Sequence, residues 1–425
     1  MSTETLAPSA HASACHSLTT HEHIGFELGW DYAHHRLSPA APYAQEPSPL
    51  RHGLLAGQAA FGNRTLEPTG PVRRWLQLRL HAWLRGRSVE LFQVTPHYLQ
   101  QLEVSHCPIT RLPLGAATPE SAPRPTTYVV RHPACRPDGL CQPQSPFRAF
   151  VRGLSPPREC RKVAEPHFLE SGDASVDRVR NDAGYAAGNL AVMSAKANQA
   201  KAAHGFAEAM QFVKQIEAGK LGGIQGLTAS QWSRLAVLCS FVEPLPHEQA
   251  CAVPLLLLPP NRLRLFNPAQ ALQAFVSRQL LQPGWSHRVS RFEALLPGKP
   301  ARRAFRDFFH ALLPRVLEAG RTAEAQRVRW AIEDAWRNPL VLKRWTAFAR
   351  LLSAEQCEGL IVRAAARKLA AVRTQQLSNA QATEGWNLES RGYVPHAVLM
   401  QRGPGGLPLN VGHAVPVPAQ ISLPL

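Results

Sequence analysis

Between Ala174 and Lys201 the chain reads ASVDRVRNDAGYAAGNLAVMSAKANQAK, and here the residue pattern points to chemistry and not only to packing. Arg178, Arg180, Lys196 and Lys201 are cations of the kind that meet a phosphate, and they are interleaved with Asp177, Asn189 and Asn198. Arg178 carries a guanidinium that stays protonated at any useful pH. It can clamp a phosphate and cannot serve as a general base.

These residues need a frame, and the local signals supply one. Ala174 to Val179 alternates small or apolar with polar residues, as a short strand does. Asn181-Asp182-Ala183-Gly184 is a turn signal, because Asn and Asp bond their own backbone and Gly takes positive φ without a clash. Leu190 to Met193 reads as a second strand pairing back on the first. Ser194 is an N-cap, and the Ala-rich segment Ala195 to His204 has the propensity for a helix. Asp177 falls near the end of the first strand. Asn198 falls about one turn into the helix, with Lys201 on the same face.

Ser175-Val176-Asp177-Arg178-Val179, followed by Asn181-Asp182, Gly184-Tyr185, Asn189, Asn198 and Lys201, resembles the ββα-metal core of HNH endonucleases, in the subgroup whose first strand reads S-x-D-R-[IV]. The resemblance implies that Asp177, Arg178 and Asn198 form the catalytic centre, with Asp177 as carboxylate ligand to one divalent cation and Asn198 as a second oxygen ligand. Mg²⁺ or Mn²⁺ suits such hard ligands, and its task would be to neutralise charge on the scissile phosphate. The resemblance also implies that Asn181, Gly184, Tyr185 and Asn189 shape the long loop. One residue departs from the family: where its best-understood members carry a water-activating histidine, this chain has Arg178. Either another group takes the proton, His167 and His204 being the nearest, or the site binds nucleic acid without cutting it.

Ahead of the core, His106-Cys107-Pro108-Ile109-Thr110 resembles the turn in which many relatives place a C-x-x-C zinc knuckle. Thr110 stands where the second Cys would be. The spacing from Cys107 to Cys135, Cys141 and Cys160 fits no tight zinc ribbon, so the ββα unit is expected to fold without structural zinc.

Composition bounds the rest. The 425 residues carry a formal charge of +17, which favours an anionic partner, nucleic acid being the usual one. Only eight of the 47 cationic side chains are lysine, so part of the excess reflects an Arg-, Ala- and Pro-rich coding bias. No apolar run is long enough to cross a membrane, and the first residues lack the pattern of a secretory signal. The eight cysteines follow no repeating spacing, which argues against a disulfide framework and suits a reducing cytoplasm.

Along the chain, residues 1–70 read as a mostly flexible arm with one ordered patch, Ile24 to Tyr32. The histidines around it (His21, His23, His34, His35) follow no recurrent ligand spacing. Residues 71–204 combine an amphipathic helix from Pro71 to Arg87, a second from Thr95 and Pro96 to about Val104, a Pro-rich insertion over 115–172 and the HNH-like core over 174–204. Residues 205–391 read as a helical domain. Its helices span Phe206 to Ala218, Thr228 to Val242, Asn267 to Leu281, Ala301 to Ala319, Thr322 to Arg337 and Ser353 to Arg373, with Trp330, Trp336 and Trp345 in their core. Residues 392–425 read as a disordered tail.

The expected fold class is therefore mainly α with a small α+β unit in the middle of the chain. The expected function is metal-dependent hydrolysis of nucleic acid, DNA ahead of RNA. An inactive nucleic-acid binder on the same scaffold and a purely structural hairpin and helix are the alternatives.

Overall fold

The computed structural model describes residues 20–40, 43–44, 48–114, 174–319, 324–370, 375–377, 381, 383, 385–386 and 420–422. The Pro-rich insertion, with Cys135, Cys141, Cys160 and His167, lies outside them, as does the tail apart from 420–422.

The described chain is mainly helical, with one small α+β unit at its centre. Three helices come first: α1 (Thr20–His34), α2 (Pro49–Phe61) and α3 (Gly70–Leu84). They enclose a core of their own, with Leu28, Tyr32, Leu50, Leu54, Leu76, Leu80 and Trp83 buried together. The stretch expected to be a flexible arm thus carries two helices. Glycine is what lets the two pack. A Cβ on Gly29 would lie 1.9 Å from the Leu50 carbonyl oxygen, and one on Gly53 would lie 1.9 Å from that of Phe26. Only glycine allows backbones this close, yet glycine lowers helix propensity and blurs the apolar stripe.

The third helix is the connector. Its Val72, Leu76, Leu80 and Trp83 face the first core, while Leu78 and Ala82 enter a second one with α4 (Pro96–Gln101) and the loop around Tyr185. Thr95 caps α4 by accepting from the Tyr98 N–H, as its sequence predicts.

The ββα unit follows. Strand β1 (Ala174–Arg178) pairs antiparallel with β2 (Leu190–Ser194), and α5 (Ala195–Lys201) leaves directly from β2. Beyond it, α6 (Phe206–Gly219) and α7 (Ala229–Val242) pack as an antiparallel pair whose buried faces join the main core. That core continues through α8 (His247–Ala252), β3 (Arg264–Leu265), α9 (Pro268–Gln279), α10 (Trp285–Glu293), α11 (Gly298–Ala319), α12 (Ala325–Ala335), α13 (Pro339–Ala349) and α14 (Ala354–Ala366). Trp336 and Trp345 are fully buried in it, whereas Trp330 is partly exposed and packs edge-on against His106. Strands β4 (Gln375–Leu377) and β5 (Gln420–Ser422) complete a three-stranded sheet ordered β3-β5-β4. No helix among the described residues is long and apolar enough to cross a membrane.

Two outcomes are expected from this packing. Gly53→Ala forces a methyl group into the Phe26 backbone and is expected to cost about 2 kcal/mol or more in urea unfolding, whereas Gly222→Ala, which meets nothing within 4 Å, stays within about 0.5 kcal/mol of the parent. Equal effects would show that the helices do not approach this closely.

The second concerns pH. Burial, helped by the Arg85 guanidinium, pushes the His81 imidazole from 6.5 down to about 3. A histidine whose folded value lies below its unfolded one binds its proton mainly in the unfolded chain between those values, so stability falls as pH drops through that window. The melting temperature between pH 7 and 4 should therefore fall less steeply in His81→Gln than in the parent, and identical slopes would rule His81 out as the cause.

Candidate functional site

In the hairpin, alternate residues serve different cores. Asp177 lies opposite Ala191 and Ser175 opposite Met193, and Ala191 and Met193 belong to the main core. Val176 lies opposite Val192 and Arg178 opposite Leu190, on the side of the second core. The polar pair Ser175 and Asp177 thus shares one face, and α5 lies across it.

Two polar rungs join the helix to that face. The Asn198 Nδ2 donates to Ser175 Oγ at 2.7 Å, and the Lys201 Nζ stands 3.0 Å from Asp177 Oδ2. The spacing explains the match: three residues rise about 4.5 Å along a helix and two span about 6.6 Å along a strand, so Asn198 and Lys201 reach Ser175 and Asp177 with small adjustments. Lys201 is 0% exposed. Its ammonium donates to the Arg178 carbonyl at 3.0 Å and to Asn181 Oδ1 at 3.1 Å and pairs with the Asp177 carboxylate by charge, Asp177 Oδ2 having no well-aligned hydrogen bond of its own. Burial pushes the Asp177 carboxyl above its ordinary value, and the Lys201 ammonium and the Arg178 N–H draw it back only in part.

The loop between the strands is closed by side chains acting as backbone. The buried Asn189 accepts from the Arg180 N–H at 2.8 Å and donates to the carbonyls of Arg180 at 3.0 Å and Gly184 at 3.2 Å. Arg178 turns into the loop, donating to the carbonyls of Asn181 (3.1 Å) and Ala183 (2.8 Å), with its guanidinium 5.3 Å from the centre of the Tyr185 ring. Arg180 forms a two-pronged bridge to Asp182 at 2.8 and 2.9 Å. Tyr185 exchanges backbone hydrogen bonds with Ser88 and Glu90, and a Cβ on Gly184 would meet Ser88 Oγ at 2.1 Å, so only glycine lets the two segments meet. Ser88 and Glu90 lie far from this loop in sequence, and no local signal announces them.

The knuckle segment docks beneath the same helix. Cys107 Sγ accepts from the backbone N–H groups of Thr110 (3.4 Å) and Ser194 (3.3 Å) and donates to Ser194 Oγ at 3.4 Å. Burial raises the thiol, but these hydrogen bonds outweigh it and leave Cys107 below its ordinary value. Ser194 Oγ in turn accepts from the Ala197 N–H and caps α5, so the sulfur sets the start of the helix. Arg111 holds the outer side, with two bonds to Asp334 at 2.7 and 3.0 Å and one to Glu333 at 3.1 Å.

Asp177, Arg178, Arg180, Asn181, Asn189, Asn198 and Lys201 are therefore neighbours held by bonds to one another or to the loop between the strands and its surroundings. Of the four cations, Lys201 is buried, Arg178 and Arg180 are partly exposed and already bonded, and Lys196 is exposed on α5. His204 packs edge-on against Phe212 and Trp232, with ring centres 4.9 and 6.2 Å away. Asp177 and Asn198 were read as cation ligands. As folded, the Lys201 ammonium faces one Asp177 oxygen, and the Asn198 Nδ2 donates to Ser175. Among the described residues, no three His, Cys, Asp or Glu side chains gather as a metal group. Scans of the chain against protein-family models, curated proteins and solved structures find no match.

Removing one partner of the buried pair should be far more damaging than trimming the neutral rung. Asp177→Ala strands a buried ammonium and is expected to cost about 3–5 kcal/mol in urea unfolding, against about 1 kcal/mol for Asn198→Ala. Comparable small losses for both would mean that the pair does not hold the unit together.

Proposed function

We propose that this protein binds nucleic acid, DNA ahead of RNA, through the exposed basic surface of an HNH-like ββα unit, and that the unit acts as a binding scaffold and not as a nuclease. The observation that carries this reading is the Lys201 ammonium seated on Asp177, the carboxylate on which the family resemblance would place a metal. Arg178 supports it, since a guanidinium folded into its own loop cannot activate water. The charge of +17 supports an anionic partner. Lys196, exposed on α5, is the cation best placed to reach phosphate, while Arg180, two residues beyond β1, is partly exposed and already paired with Asp182. Lys196 would act by neutralising charge and would be blind to base sequence.

The test is binding and cleavage read on the same samples. With linear and supercoiled DNA, the parent protein should bind in EDTA and no more tightly in Mg²⁺, and its affinity should fall with salt. Lys196→Glu should weaken binding and flatten the slope of log K against log salt by about 1. No nucleic-acid binding at low salt would defeat the proposal. Mg²⁺- or Mn²⁺-dependent cutting that disappears in both Asp177→Ala and Asn198→Ala would replace it with the hydrolytic reading.

A further inference from the structure

The surroundings of the Lys201 ammonium have the composition of a cation site. Three oxygens surround the ammonium: a carboxylate oxygen of Asp177 in an ion pair at 3.0 Å, and, as hydrogen-bond acceptors, the peptide carbonyl of Arg178 at 3.0 Å and the amide oxygen of Asn181 at 3.1 Å. Carboxylate, carbonyl and amide oxygens are the ligand types that hard cations take in proteins. All three come from β1 and the loop that follows it, while the cation comes from α5, on the other side of the contact. Lys201 is the last residue of that helix, where the dipole favours positive charge, and the chain reverses immediately after it at Ala202 (φ 44°). The thiol of Cys239 and the carboxylate of Glu243 lie near enough to feel the ammonium's charge. Glu243 is itself engaged by the Phe206 N–H at 2.9 Å and so does not compete for it.

We propose that Lys201 is a tethered cation that fills a three-oxygen site in place of an exchangeable one, and that removing its side chain opens that site to a small amine or a divalent ion. Physically, the tether makes the cation's local concentration independent of solution, so the unit keeps its hairpin, loop and helix together without metal. It rests on the reading of the unit as a scaffold that needs no cation, and it uses the same residues. Lys201→Ala leaves the oxygens and removes the ammonium. Lys201→Met fills the same channel with an uncharged chain and should leave no room for a substitute.

The experiment compares the full-length parent, Lys201→Ala and Lys201→Met by thermal unfolding in EDTA, in MnCl₂, and in methylammonium chloride against equal NaCl. The parent's midpoint should be unchanged by any of these. Lys201→Ala should melt lower and recover with rising methylammonium or Mn²⁺, and titration calorimetry should give one Mn²⁺ site per chain in Lys201→Ala and none in the parent. Lys201→Met should melt lower and recover with neither. If Lys201→Ala does not fold in EDTA, its refolding yield with and without methylammonium is the readout, and no gain overturns the proposal. So does a parent midpoint that rises with Mn²⁺, or a recovery in Lys201→Ala no larger than that in Lys201→Met. Because every readout is folding or cation binding, it stands or falls separately from nucleic-acid binding, which a protein failing the DNA assay would lose while still passing this one.

Discussion

Taking a carboxylate and an ammonium out of water costs several kcal/mol for each ion, and their attraction repays this only when the remaining protons and lone pairs are also satisfied. At the Asp177 and Lys201 pair the ammonium has two further acceptors, while Asp177 Oδ2 has the charge contact without a well-aligned hydrogen bond. The ammonium donates to the Arg178 carbonyl and to Asn181 and faces the Asp177 carboxylate at 3.0 Å, so a single buried cation fixes the end of the first strand, the start of the loop and the last turn of the helix. Everything else in the ββα unit is arranged around keeping those three segments in register. Asn198 and Ser175 set the sliding position of helix on strand, and Asn189 stops the loop from opening under them.

At the knuckle segment the Cys107 thiol serves as a hydrogen-bond hub, gathering the Thr110 and Ser194 N–H groups. Those bonds tie the segment before the hairpin to the first turn of α5. Arg111 then ties its outer side to α12 through Glu333 and Asp334, and Arg234 stands close enough to that cluster for burial and the neighbouring Arg111 to lower its guanidinium from 12.5 to about 10. The small α+β unit is thus clamped to the helical body by charged side chains as well as by apolar packing.

The arginine excess consequently divides into two populations. Arg79 is buried against Asp31, Arg111 and Arg329 serve Glu333, and Arg288 and Arg291 bond backbone carbonyls near the end of α14. These guanidiniums are structural, and they reduce the share of the net charge that faces a partner. What faces outward near the hairpin is a smaller set, with Lys196 in front, and electrostatic attraction from such a set is strong at low salt and weak at high salt.

Much of this was legible in the sequence because it depends on neighbours along the chain. The strand, turn, strand and helix of 174–201 follow from alternation, an Asn-Asp-x-Gly turn and a serine cap; the helices after Thr95 and Thr228 follow from their threonine caps, and the one after Asn267 from its first-turn proline, the Asn267 Oδ1 accepting from the Leu245 N–H and not from the helix. Asn338-Pro339 carries the same kind of signal for α13, with the Asn338 side chain accepting from the Leu340 N–H. The first two helices escaped because their glycines mean nothing until a second backbone stands against them. The sequence by itself determined that Asp177, Asn198 and Lys201 would lie near one another, through the periods of a strand and a helix. Only the tertiary structure decided that the lysine and not an open space would meet the carboxylate, and that Ser88, Cys107 and Glu333 would close around the unit. Those partners are set by packing between segments far apart in the chain, and no local periodicity encodes such distances.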